Sequence, residues 1–181
     1  MNNYNEQLVC LLENATESTF KALLEKNEKF YYFSLLIDEG ASPYVSAWSY
    51  EALENLFSEL KSDDETEKLM YKWAICDSTY VGYEHDLYFN AVDEFLQKND
   101  IWELSDDDFY SEFDVRLNSM EEALRRLDKK GLFGTGDDRK KIVITAEVVP
   151  PDYTNTARVQ RLNPDDIIQE WLEFCSEPES E

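Results

Sequence analysis

Ser105-Asp106-Asp107-Asp108-Phe109-Tyr110 sets three carboxylates beside two aromatic rings, a combination that could chelate a divalent cation or meet a basic protein. Calcium would require ligands at alternating positions around a central glycine, and this block lacks them. Folding alone also accounts for the block: Ser105 caps a helix, the acids complement its dipole, and Phe109 and Phe113 point inward at i, i+4. A protein partner would meet Trp102, Asp106, Asp107, Asp108, Tyr110 and Glu112.

A second acidic run follows Arg161, where Asp165, Asp166, Glu170, Glu173, Glu177, Glu179 and Glu181 have no Lys or Arg among them. Such density repels itself, and a basic surface would relieve it. A solvated helix face and a solubilising tail explain it equally. The third candidate, and the alternative function, is a small-ligand-binding domain or an enzyme of unknown activity with a pocket wall formed by Trp73, Asp77, Tyr80, Tyr83, Glu84 and His85, with Tyr80-Val-Gly-Tyr83 at the surface.

Catalytic signatures are missing. His85 is the sole histidine, which excludes a multi-histidine metal site, and a Cys76/His85 pair lacks an orienting partner at a family spacing. There is no Gly-x-Ser-x-Gly elbow, Walker loop or dinucleotide fingerprint. Gly131-Leu-Phe-Gly134-Thr-Gly136 resembles a phosphate loop but leaves a helix and enters a strand, the reverse of the required order. Lys129, Lys130 and Gly131 read as a helix C-terminus, within a basic stretch that includes Arg125, Arg126, Arg139, Lys140 and Lys141. The expectation is a non-enzymatic protein without cofactor or metal.

With 40 Asp+Glu against 17 Lys+Arg, the formal charge is −23, which disfavours nucleic acid and anionic membranes and favours a basic protein partner. Hydrophobic residues at 43% lift the chain well clear of the disordered regime. Cys10, Cys76 and Cys175 are too few and too widely spaced for a disulfide framework, and Met1-Asn-Asn-Tyr-Asn-Glu6 lacks a secretory pattern. A cytoplasmic location follows as an expectation.

The elements that must position these residues start with an amphipathic helix from Asn5 to Lys26 and a buried strand from Phe30 to Ile37. Tyr44 to Trp48 returns antiparallel, Ser49 caps a helix, Ser62-Asp-Asp64 closes it, and Leu69 to Ile75 reads as a strand. Helical spacing recurs through Tyr88, Ala91, Val92 and Phe95, then in a short helix after Ser105 and another from Asn118 to Lys130. Ile142 to Val149 reads as a strand ended by Pro150-Pro151, and Asn163 as the cap of a last helix bearing Ile168, Trp171, Leu172 and Cys175. The pattern predicts one α+β domain over residues 1–176, with a small, mostly antiparallel sheet of about three to five strands covered by amphipathic helices. An acidic tail follows at 177–181.

Phe30-Tyr-Tyr-Phe-Ser-Leu-Leu-Ile-Asp38, Ser46-Ala-Trp-Ser-Tyr-Glu-Ala-Leu53 and Tyr71 to Glu84, with Gly131-Leu-Phe-Gly134 and Leu162-Asn-Pro164, resemble the bacterial domain-of-unknown-function 4303 family. The chain departs after Trp73, where the family tends to carry another tryptophan near Asp77 and this sequence has Ser78-Thr-Tyr80. No activity or catalytic residue carries over. The resemblance implies an immunity-type protein that inhibits a toxin.

Overall fold

A computed structural model describes residues 3–61 and 64–178. At its centre lies β1 (Phe30–Ile37), whose residues are all buried. Both faces of the sheet are covered, so the strand reads as an unbroken apolar run instead of alternating. β2 (Tyr44–Ser49) returns antiparallel along one edge, with Phe33 opposite Ala47 and Leu35 opposite Val45. β3 (Val143–Val148) lies along the other edge and runs parallel to β1, with Phe33 beside Ile144. The sheet is therefore three-stranded and mixed, in the order β2-β1-β3. This corrects the expectation of a mostly antiparallel sheet: β2 has already brought the chain back to the end at which β1 starts, and the helices that follow carry it to the far edge, where β3 sets out parallel to β1.

Among the described residues, the helices are α1 (Asn3–Leu24), α2 (Tyr50–Leu60), α3 (Glu65–Trp73), α4 (His85–Tyr88), α5 (Asn90–Gln97), α6 (Asp106–Lys129), α7 (Tyr153–Leu162) and α8 (Gln169–Cys175). α1 and α6 cover the sheet face that carries Phe33. There the Phe20 ring lies tilted 4.4 Å from Phe33, and Phe133 closes the cluster 5.7 Å from Phe33. Alternation along β1 sends Tyr32 to the opposite face, where it meets the edge of Trp73 at 5.4 Å and accepts a hydrogen bond from Trp171 Nε1 at 2.9 Å.

Leu69 to Ile75 is not a strand. Asp64 caps α3, accepting from Thr66 N at 2.8 Å, and the Glu-rich start favours helix over the β-propensity of Tyr71 and Trp73. Ser62 and Asp63, also read as a boundary, lie outside the described residues. The two helices expected between Ser105 and Lys130 are one, α6, because the buried stripe continues through Arg116, Leu117 and Met120. Its end is a Schellman turn: Leu132 N donates to Leu127 O at 3.1 Å, Gly131 N to Asp128 O at 2.9 Å, and Gly131 takes φ 82°.

Asn163 does not cap the last helix. Its side chain is buried against β3, accepting from Ile144 N at 2.9 Å and donating to Ile144 O at 2.7 Å. A short 3-10 turn at Asp165–Ile167 intervenes before α8. α7 has no counterpart in the sequence expectation. Its start is capped by Asp152, and Asn155 bonds both N and O of Val148, so tertiary contacts hold a segment of weak helical propensity.

Candidate functional site

Asp93, Leu96, Gln97 and Asp100 recur at i, i+3, i+4 and i+7, so α5 and the turn beyond it present them on one side. They line an open cavity of about 550 Å³ whose other walls include Ser42, His85, Trp102 and Arg116. Asp93 is its polar centre, accepting from Ser42 Oγ at 2.5 Å and bonding His85 Nε2 at 2.9 Å. An ionised carboxylate only accepts, which assigns the ring proton to Nε2. In the neutral ring Nδ1 is then an acceptor, and among the described residues it is buried without a partner. The imidazole stacks on Phe89 at 5.1 Å.

Serine, carboxylate and imidazole meet here in an order unsuited to nucleophilic catalysis. Ser42 gives its proton to Asp93 and not to His85, so the arrangement supplies no base to activate the hydroxyl. Both donors follow a strained backbone: Ala41 has φ 56° before Ser42, and Glu84 has φ 47° before His85. Arg116 braces the first of these, donating to Ala41 O at 2.7 Å, and joins it to Asn99 O at 3.1 Å and Glu112 at 3.0 Å.

Trp102 connects the cavity to the surface. Its ring lies 5.3 Å from Phe109, which meets Tyr110 edge-on at 5.5 Å. Trp102 is 61% exposed and Tyr110 69%. Asp106, Asp107 and Asp108 occupy the exposed first turn of α6, capped by Ser105. Among the described residues no Lys or Arg lies within ion-pair distance of them. Glu112, by contrast, turns inward to Tyr4 and Arg116.

The C-terminal acids are not without cations. Lys140 reaches Asp166 at 3.3 Å, while Lys72 and Trp73 Nε1 both donate to Glu170. Burial pushes Glu170 up, but these two donors outweigh it and hold the carboxyl below its usual range. Asp165, Glu173 and Glu177 are exposed, and Glu179 and Glu181 lie outside the described residues. The basic stretch is occupied internally: Arg126 pairs with Glu6, Lys130 with Glu13, and Arg139 with Asp128.

The six residues of the third candidate are dispersed. Trp73 lines a separate recess of about 300 Å³ with Tyr31, Tyr50, Lys72 and Glu170. Tyr80 is buried and donates to Glu28 at 2.7 Å, and Lys26 sits over the Tyr83 ring at 4.9 Å. Asp77 and Glu84 are exposed and line neither space, so His85 alone of the six reaches the larger cavity. Burial raises all three thiols, Cys175 to about 12, so none is an activated nucleophile. Among the described residues no group of three His, Cys, Asp or Glu side chains could hold a metal ion, and no helix is long and apolar enough to cross a membrane.

Sequence reasoning missed Ser42, Asp93, Gln97, Asp100 and Arg116. The available signal was the polar spacing of Asp93, Gln97 and Asp100 at i, i+4 and i+7, beside the apolar stripe of Val92, Phe95 and Leu96.

Fold and cavity together define a helix-rich α+β domain with an open, polar-walled cavity beside an aromatic and acidic surface. Residues 12–164 match the family described as Domain of unknown function (DUF4303), and the chain belongs to it. Neither a curated protein nor a solved structure matches the chain.

Proposed function

We propose that the protein is a non-enzymatic acidic binding protein of the immunity type, which neutralises a basic toxin domain by stoichiometric binding in the cytoplasm. The observation that carries this reading is the exposure of Trp102 and Tyr110 on either side of Phe109, beside three exposed carboxylates that pair with no Lys or Arg among the described residues. Large exposed aromatics anchor protein interfaces, and adjacent unpaired charge steers the partner and sets register. A nuclease toxin must present cations to bind phosphates, and an acidic inhibitor is complementary to that surface. The net charge of −23 adds long-range attraction.

Co-expression with the toxic product of the adjacent gene, followed by calorimetry of the purified pair, tests the proposal. Protection of the host and one-to-one binding that weakens with salt are expected. Absence of both binding at low salt and protection would exclude it.

A further inference from the structure

We propose that the cavity behind Trp102 is a receptor for an alkylguanidinium group. Its wall carries two carboxylates, Asp93 and Asp100, and one permanent cation, Arg116. Arg116 is 3% exposed and its guanidinium is committed to two backbone carbonyls and to Glu112, which offsets its charge. His85 directs its Nε2–H and Ser42 its Oγ–H to Asp93. The groups that line the space are rich in acceptors, with two carboxylates and the Gln97 amide among them.

A guanidinium is the complementary group. It offers five N–H donors in a plane and no acceptor, so one ion can address both carboxylates. Trp102 supplies an indole for the same plane to stack upon. Leu96 and Ile101 provide apolar wall for an alkyl stem. At about 550 Å³ the cavity admits such a group with its stem. An anion would meet net negative charge, and an ammonium, which can also sit over an indole face, has no planar fork to pair with the carboxylates. Ala41 and Glu84, both in the left-handed region, flank the two residues that orient Asp93.

Two sources supply this chemistry, a free small molecule and an arginine side chain of a protein. The inference concerns the cavity and does not depend on the toxin reading. It is tested on the full chain by following the Trp102 indole N–H in NMR spectra during titration with butylguanidinium, with the neutral isostere butylurea, and with a blocked Gly-Arg-Gly peptide. Butylguanidinium is expected to give a saturable shift with an affinity at least tenfold above that of butylurea. Asp93→Asn and Asp100→Asn should each weaken it at least tenfold, and Asp106→Asn by less than twofold. Asp100→Asn keeps an oxygen for the Trp102 backbone N–H, which donates to Asp100 at 3.0 Å, so the turn survives even if Asp93→Asn disturbs the fold. A peptide that binds at least tenfold more tightly than butylguanidinium assigns the source to a protein arginine; a smaller difference assigns it to a free molecule. Absent saturation, equal binding of the urea, or an Asp100→Asn variant with unchanged affinity would overturn the proposal.

Discussion

Arg116 donates to the carbonyl of Ala41 at 2.7 Å, tying the middle of α6 to the turn between β1 and β2. The same guanidinium holds Asn99 O and Glu112, so one buried side chain fastens three walls of the cavity. Its removal leaves a carboxylate without its partner and two carbonyls short of a donor. Arg116→Ala should lower unfolding free energy by about 3 kcal/mol, and Arg116→Lys by about 2 kcal/mol, since an ammonium cannot span all three acceptors. Urea denaturation measures both, and a loss below about 0.5 kcal/mol for the alanine variant would contradict the bracing role.

Asn163 makes four buried contacts, two as acceptor and two as donor. Its amide nitrogen donates to Ile144 O at 2.7 Å and Val159 O at 2.9 Å, and its oxygen accepts from Ile144 N and Arg139. Asn163→Asp preserves the shape but removes both donors and buries a charge. A loss of about 3 kcal/mol is expected, larger above the ordinary aspartate range than below it. A helix cap tolerates Asp as well as Asn, so thermal melts of this variant separate the two roles.

Sequence pattern was sufficient where local physics decides. Ser49, Ser105 and the Lys130-Gly131 cap act as their types suggest, and the apolar run of β1 is the buried central strand. It failed where distant chain decides. Asn163 looks like a cap beside Pro164, yet Ile144, far back in the sequence, supplies better partners. The pairing of β3 depends on which edge of β1 the helices after β2 deliver the chain to, and no local periodicity encodes that. Trp102 and Asp106 to Asp108 were visible as an aromatic and acidic surface, whereas the cavity was not, because Ser42, His85, Asp93 and Arg116 converge only after the β1–β2 turn, α4, α5 and α6 pack together.

Glu147 is buried on the tryptophan-covered face of the sheet, and the hydroxyls of Tyr32, Ser34 and Thr145 converge on its Oε1. Burial raises this carboxyl above its ordinary value of 4.5 despite those hydrogen bonds, which act in the opposite direction. The fold therefore favours the neutral form. That contribution is complete below the unfolded value and is lost as pH rises through the folded one. Glu147→Gln keeps the accepting oxygen and cannot ionise. Its stability relative to the parent should rise with pH from 4.5 toward neutrality and level off below 4.5. Unfolding free energies at a series of pH values give the slope, and a difference independent of pH would show that burial does not govern this group.

Trp102 and the acids of α6 should separate in a binding experiment, because one acts after contact and the others before it. Trp102 is 61% exposed and, among the described residues, has Phe109 as its one close ring neighbour, so Trp102→Ala should change stability by less than about 0.5 kcal/mol. As an interface anchor it would lose about 2 kcal/mol of binding, chiefly through faster dissociation. Asp106→Asn and Asp107→Asn leave the Ser105 cap and the ring cluster intact. They remove part of the field that draws a basic partner, which should slow association and flatten its salt dependence with little effect on dissociation. Surface plasmon resonance at two ionic strengths resolves the two classes. Acid variants that accelerate dissociation as much as Trp102→Ala would instead place the carboxylates in direct, desolvated contact with the partner.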